Sequence, residues 1–478
     1  MSLDTRETLQ SIAPSYLAAA ALSGSPIVKA LGMWLEYAPK ENHYRELSND
    51  ELKHMIWMAL EGRTYIHRGK DGDEEKTLNL NTKISADVRE ALIHLALETG
   101  IEELPFWRDQ RDDDPDPRYL LPVSNGLLDW KTGELIAPTP RFVSTDCSQV
   151  AYDPDAVTFM WDFFLDEIFD GDLEQIELLH EVMGCILTGQ TGFQKIFQLF
   201  GPARSGKGTI NLMLTRLLGM RSVASPRIKQ IGEGSGFGAS SLVGKKAAII
   251  GDARLGRGRQ TDALTELLLS TSGGDLQTIQ RKFKDDYIGY LHIQWMLMSN
   301  EPILMHDMTG TIATRMVLME TRRSFLGRED NGLFERDLLP EAAGVLNRCL
   351  EAARRLSKRG HFLVPSSIKN RMSEILREAS TVAAFASECL IEDPSAATPK
   401  HDIYDAFERY CRGHGRGNAD KSVFWRDLRT SGKFRDDMVT RVRVDGRRVQ
   451  TVNGLSVHLD EDALPVDPAD DFHDGQCG

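Results

Sequence analysis

Sixteen residues, Lys195 to Ile210 (KIFQLFGPARSGKGTI), carry the plainest chemistry in this chain. An apolar run ends in a glycine-rich turn closed by Gly201, Gly206 and Lys207, the complete G-x-x-x-x-G-K spacing. Glycines at such positions let backbone N–H groups curl around phosphate oxygens. The lysine reaches the β- and γ-phosphates, and a following helix turns its partly positive N-terminus toward the anion. Gly201, Pro202, Ala203, Arg204, Ser205, Gly206, Lys207, Gly208 and Thr209 are therefore the candidate nucleotide cradle, with ATP as ligand. The position after the lysine, where a Ser or Thr ordinarily touches magnesium, is Gly208; the hydroxyl comes one residue later, at Thr209, which becomes the candidate Mg2+ contact beside an acid.

That acid is expected at the end of a neighbouring strand. KKAAIIGDAR supplies it: Ala247 to Ile250 form a short apolar strand and Asp252 follows, 45 residues after Lys207. No second acid adjoins it, since the next residue is Ala253; Asp252 does both jobs, or Asp262 or Asp275 assists as base. A third apolar run, HIQWMLMSNEP, ends at Ser299 and Asn300, where an amide would sense the γ-phosphate or hold the attacking water. Arg315 stands immediately before MVLM and would reach a neighbouring subunit's nucleotide, the alternative being a surface salt bridge. Between these motifs, SGGDLQTIQRKFKDDYIGYL reads as two β-arms with Arg281, Lys282, Phe283 and Lys284 near the turn, cations and a ring suited to single-stranded DNA.

These residues need strands and helices in alternation to position them. Ile196 to Phe200 reads as a buried strand, and INLMLTRLLG has helical apolar spacing up to Gly219. The alternation continues to about Ser324, the pattern of an α/β nucleotide-binding core. Upstream, residues 1–110 read as mostly helical, with no chemistry; LLPVSNGLLDWKTGELI reads as short strands turning at Asn125-Gly126 and Thr132-Gly133; and Asp153 to Thr188 reads as a packed helical segment. Downstream, a helix over Lys421 to Thr430 and two strands around a basic turn at Asp445-Gly446 suggest a winged-helix module in which Arg447 and Arg448 contact duplex DNA. The expected organisation is a helical domain over 1–110, a connecting domain over 111–190, the ATPase core over 191–358, a winged-helix-like domain over 359–460 and an acidic tail over 461–478.

Composition is that of an ordinary globular protein of 478 residues, 41% hydrophobic and 27% charged. No apolar run is long enough for a membrane span and MSLDTRETLQ is not a signal peptide, so a cytoplasmic location and no membrane partner are expected. Six scattered cysteines without C-x-x-C suggest neither zinc nor a disulfide framework. The net charge of −14 argues against nucleic acid, but from Arg412 to Arg448 eleven basic residues face five acidic ones, a local balance of +6.

The order of GPARSGKGT, AIIGDARL, SGGDLQTIQRKF, MSNEP and TGTIATRM resembles that of superfamily 3 helicases of the phage and plasmid primase-helicase group, related to the poxvirus primase-helicase. NGLLDWKTGEL and the segment through GCILTGQT resemble the domain that precedes the motor in that group, so the likeness spans roughly Leu120 to Gly360. It implies an AAA+-like P-loop core, a homo-hexameric ring, ATP hydrolysis with Mg2+ at subunit interfaces and translocation on single-stranded DNA by a pore hairpin in a bacterial host. Carried over, Lys207 resembles the phosphate-loop lysine, Asp252 the acid of the second motif, Lys282 the hairpin lysine, Asn300 the sensor and Arg315 the arginine finger. The first 110 residues show no zinc-ligand spacing and no strand-borne D-x-D, so no primase activity is expected; a separate primase or polymerase would then be a partner. The rival reading is an ATP-dependent origin-binding initiator or loader. GKGT also resembles adenylate-kinase-like enzymes, whose small monomeric design leaves the hairpin, Asn300, Arg315 and the basic end unexplained.

Overall fold

A computed structural model describes residues 13–22, 26–69, 72–232, 239–253, 259–281, 286–303, 311–371, 381–414, 418–444 and 447–458. The chain divides into two compact units, Met1–Pro365 and Ser366–Gly478.

The first unit opens with α1 (Pro14–Leu22), an antiparallel sheet of β1 (Ile27–Ala30), β2 (Met33–Ala38) and β3 (His43–Leu47), then α2 (Asn49–Leu60), a hairpin of β4 (Thr64–Gly69) and β5 (Gly72–Thr77), and α3 (Thr82–Ala96). The expectation of a mostly helical N-terminal region is thereby corrected. The two helices read from the sequence are present, but a further helix and, over residues 27–77 alone, five strands accompany them. Their runs, such as IVKA and HYREL, are short and lack clean alternation, so burial against neighbours rather than local pattern decides them. Next come β6 (Phe106–Trp107), a meander of β7 (Leu120–Val123), β8 (Gly126–Asp129) and β9 (Leu135–Ile136), then β10 (Phe142–Val143), α4 (Met160–Phe169) and α5 (Leu173–Thr188).

The central sheet is built from β11 (Ile196–Phe200), α6 (Lys207–Leu218), β12 (Val223–Ala224), α7 (Ile228–Gly232), β13 (Ala247–Ile250), α8 (Arg259–Gly273), the hairpin β14 (Leu276–Ile279) and β15 (Tyr287–Tyr290), β16 (Gln294–Ser299), α9 (Thr311–Arg315) and β17 (Met316–Glu320). Its five strands are parallel in the order β12-β13-β16-β11-β17. Both faces are covered. Phe197, Leu199, Met296, Met298, Val317 and Met319 enter one core with α4, α5, α6 and α10 (Ala342–Arg359), while Ile196, Trp295 and Leu297 enter another with α8 and the first sheet. Strands buried at every residue and apolar at nearly all of them, such as IFQLF with its single polar Gln198 donating to Ser299 Oγ, are what a parallel sheet sandwiched by helices demands.

The second unit runs α11 (Thr381–Cys389), β18 (Leu390–Pro399), α12 (Lys400–Gly413), α13 (Lys421–Thr430), β19 (Val439–Val444) and β20 (Arg447–Val457), with an antiparallel sheet ordered β18-β20-β19. Its core is aromatic: Phe385, Phe407 and Phe424 lie with ring centroids 4.6–6.1 Å apart. The basic turn at Asp445-Gly446 and the tail after His458 lie outside the described residues.

Candidate functional site

The phosphate-loop sequence leaves β11 at the C-terminal edge of the sheet and enters α6 at Lys207. Two glycines are demanded by space and by dihedral angle together. Gly201 has φ +150° and a Cβ there would lie 2.2 Å from the Thr321 carbonyl oxygen; Gly206 has φ +86° and a Cβ would meet Phe164 and Ile168 of α4 at 3.0 Å. Gly206 also begins α6 without any side-chain cap, so the first amides of the helix have no side-chain acceptor of their own. Arg204, at φ +57°, is the non-glycine residue of the loop in left-handed conformation.

Lys207 Nζ donates to the carbonyls of Gly201 and Pro202, both at 2.7 Å, and to Ser205 Oγ at 3.2 Å. Half-burial pushes its ammonium pKa down, and the charge of Asp252 partly offsets this. The acid and the lysine thus share one electrostatic neighbourhood. Sheet register explains why. Ile250 pairs with Leu297, two residues short of Ser299, and Ser299 pairs with Phe200. Asp252, Asn300 and Gly201 therefore all leave the sheet at the same edge. Because β16 lies between β11 and β13, Asn300 stands between the loop and the acid. Asp252 and Asn300 are exposed, and the backbone past β13 stays tied to β16 by Ala253 N–H to the Met298 carbonyl at 2.8 Å.

The segment after β17, which the sequence reading does not single out, completes the loop's support. Thr321 N–H donates to the Phe200 carbonyl at 2.9 Å, its hydroxyl lies 2.6 Å from that of buried Ser205, Ser324 Oγ donates to Ala203 O at 2.8 Å, and Phe325 N–H donates to Arg204 O at 2.8 Å. The available signal was the TRRS sequence that follows the apolar strand, which carries no spacing rule of its own. Beneath the loop, Trp161 Nε1 donates to His180 Nε2 at 3.1 Å, fixing α4 to α5; burial holds the His180 imidazole neutral, with its pKa lowered to about 4.

Arg315 belongs to the opposite edge. Met316 pairs with Ile196 at the start of β11, so about 16 Å of strand separates this arginine from the loop of its own chain. Its Nη1 donates to the Leu269 carbonyl at 2.6 Å and to Ser272 Oγ at 2.9 Å. Asp262 and Asp275, expected to assist Asp252, instead line a groove with Arg315, Thr265 and Glu266. The structure therefore brings together Lys207 and Asp252 with Asn300, and keeps Arg315, Asp262 and Asp275 apart from them.

The hairpin expected after α8 is present as β14 and β15, paired from Leu276 with Tyr290 to Ile279 with Tyr287. Lys282 and Lys284, with Phe283, lie outside the described residues. Arg281 is a correction. It is buried, and its guanidinium donates to Glu46 at 3.2 Å and to the Gly32 carbonyl at 3.3 Å, tying the first arm to the N-terminal sheet instead of facing solvent. In the second unit, Arg426 and Arg429 on α13 are paired with Asp427 and Asp436. Exposed Arg443 and Arg448 are cross-strand partners on β19 and β20, with Arg441 two residues away on the same face, and Arg447 opens β20. Like charges directly opposed cost stability unless an anion lies over them.

The donor set fits a magnesium nucleotide. Two glycines make the cradle that a Cβ would fill, a lysine points into it, and Thr209 and Asp252 are the residues that would hold the metal. Among the described residues no group of three or more His, Cys, Asp and Glu side chains could hold a metal ion. No helix among them is long and apolar enough to cross a membrane. Five of the cysteines are free thiols, four of them buried.

Residues 27–170 match a family model described as D5 N terminal like, and residues 199–315 match a family of unknown function. An apo structure of the NrS-1 C-terminal region, spanning its residues 305–718, aligns at TM-score 0.50 and 11% identity, covering 93% of this chain and 100% of that one. A second apo structure of that region aligns at 0.49 and 12%, with the same coverage. A structure of JCV Helicase with a bound small molecule aligns at 0.25 and 17%, over 42% of this chain and 67% of that one.

Proposed function

Taking the chain as the superfamily 3 helicase-like protein indicated by its motif order and the D5-type match, we propose that it is an ATP-dependent DNA helicase that works as a homo-hexamer on single-stranded DNA in the replication of a phage or mobile element. One observation carries this: the sheet order puts Lys207, Asn300 and Asp252 at one edge and Arg315 at the other, so a chain holding nucleotide at the first edge offers the second to a neighbour. Head-to-tail contacts of that kind generate a ring when the rotation from subunit to subunit closes. Bound ATP with Mg2+ supplies the phosphoryl group whose transfer to water drives movement. The loop amides and Lys207 hold its charge; Thr209 and Asp252 hold the metal; Asn300 orients water; Arg315 of the adjoining subunit meets charge that develops during transfer. The hairpin β14–β15 carries the DNA contact through Lys282 and Lys284.

A second reading, an ATP-dependent initiator or loader, is favoured by the order of the second unit, helix-strand-helix-helix-strand-strand, and by its Arg441, Arg443 and Arg448 face, both suited to duplex DNA. ATP hydrolysis measured with and without single-stranded DNA, on a sample sized by light scattering, separates them. DNA-stimulated turnover by a species about six times the 53.5 kDa chain is expected; nucleotide binding without stimulation, from a monomer or dimer, would shift the assignment to the initiator.

A further inference from the structure

The last turn of α8 collects contacts from the starts of three of the five sheet strands, β11, β16 and β17. Arg315, ahead of β17, gives both Nη1 protons to this turn, one to the Leu269 carbonyl and one to Ser272 Oγ. Trp295 of β16 donates its indole N–H to Thr271 Oγ1 at 2.9 Å. Just ahead of β11, Gln194 Nε2 donates to the Gly273 carbonyl at 3.3 Å, and Lys195 Nζ donates to the Thr314 carbonyl, beside Arg315, at 2.8 Å. One residue past Gly273, at Gly274, the chain turns with φ +78° toward β14, the first arm of the hairpin.

Ser272 is built as an acceptor here. It is buried, its hydroxyl proton goes to the Leu268 carbonyl at 2.6 Å, and an oxygen lone pair is left for the guanidinium. Gly273 supplies the room, since a Cβ there would lie 3.3 Å from Nη1 and 3.6 Å from Nη2. With Nη1 held by α8, the Nη2 and Nε donors are the ones that a phosphate of another subunit would meet.

We propose that Ser272, with the Leu269 carbonyl and the bare Gly273, is the positioning site of Arg315, and that it aims the guanidinium from the turn that also launches the hairpin. The inference rests on Arg315 acting across subunits as proposed above. A shift of the hairpin root would move the arginine's support, and nucleotide held by the arginine would pull on the hairpin.

The test is DNA-stimulated ATP hydrolysis by the full chain carrying Ser272→Ala, Ser272→Thr or Gly273→Ala. Losing one charge-assisted acceptor should lower kcat about fivefold to tenfold with the KM for ATP unchanged, because the phosphate loop lies at the far edge. Threonine keeps the hydroxyl and should restore most of the rate. Gly273→Ala, whose Cβ would press on Nη1 by only a few tenths of an ångström, should lower kcat less, about twofold, again with KM unchanged. In an Arg315→Ala background, Ser272→Ala should add nothing further. Full turnover in both Ser272→Ala and Gly273→Ala would overturn the positioning role while leaving the proposed function intact. So would a joint fall in kcat and melting temperature without rescue by threonine. Undiminished turnover by Lys207→Ala would remove the proposed function itself, and this inference with it.

Discussion

The two edges of the central sheet solve their problems with different materials. At the C-terminal edge, backbone does most of the work: Gly201 and Gly206 admit conformations and approaches closed to other residues, and carbonyls of the loop hold Lys207. At the N-terminal edge, side chains from three separate segments, Gln194, Ser272 and Arg315, meet around one helix end. A loop that wraps an anion must be made locally, since N–H groups converge only where the chain itself curls. Arg315 finds its acceptors outside its own strand, on α8, so its environment is assembled from afar.

This contrast can be broken experimentally. Arg315→Ala should lower ATP turnover on the order of 1,000-fold while nucleotide binding persists, as removal of a transition-state arginine does. Mixing it with Lys207→Ala should restore part of the rate, because one interface in such a mixture would hold both intact residues; no restoration would place the arginine's role within its own chain. Lys207→Ala alone should cost about 100-fold or more in turnover and abolish binding measured by calorimetry. If binding survives, the first edge is not a nucleotide site.

Gly201→Ala sharpens the backbone side of the comparison. A methyl group driven against Thr321 in a left-handed conformation should destabilise the first unit by about 3 kcal/mol, read as a lowered melting temperature. An unchanged melting curve would show that the loop relaxes freely. Thr321→Val removes the hydroxyl partner of Ser205 and should raise the KM for ATP about fivefold, with kcat preserved. A change confined to kcat would give Thr321 a different role.

The smallest effect is a pH slope. Folding holds His180 neutral, with its pKa lowered to about 4 against an unfolded value of 6.5. Between those values the unfolded chain binds the extra proton, so stability falls as pH drops from 6.5 toward 4, by about 1 kcal/mol per pH unit at most from this group. Chemical denaturation at pH 7 and pH 5 should show that loss. His180→Gln should shallow the slope, and an identical slope in the variant would assign the loss to other groups.

Strong local signals carried over intact. The helix expected over Lys421 to Thr430 occupies that range, and the run Ile196 to Phe200 forms an interior strand of the parallel sheet, because a clear period or a dominantly apolar run outweighs its surroundings. Weak ones did not. The strands of residues 27–77 lie in short mixed runs that only cross-strand partners stabilise, and these led to a mostly helical reading of that region. Arg281 shows the same limit for function. In sequence it adjoins Lys282 and Phe283 and passes for part of a cationic cluster; in space it reaches Glu46, 235 residues earlier in the chain.

What the sequence determined by itself is the G-x-x-x-x-G-K turn, the acid at Asp252, the polar end of β16 and the arginine before β17, since each is a short stretch legible from consecutive residues. Tertiary structure decided which of these share an edge. It brought Lys207 within the field of Asp252, sent Asp262 and Asp275 to the arginine's groove, buried Arg281, and recruited Thr321 and Ser324 beneath the loop. The physical reason is the strand order. Inserting β16 between β11 and β13 is a choice of packing among distant segments, and no local periodicity records it.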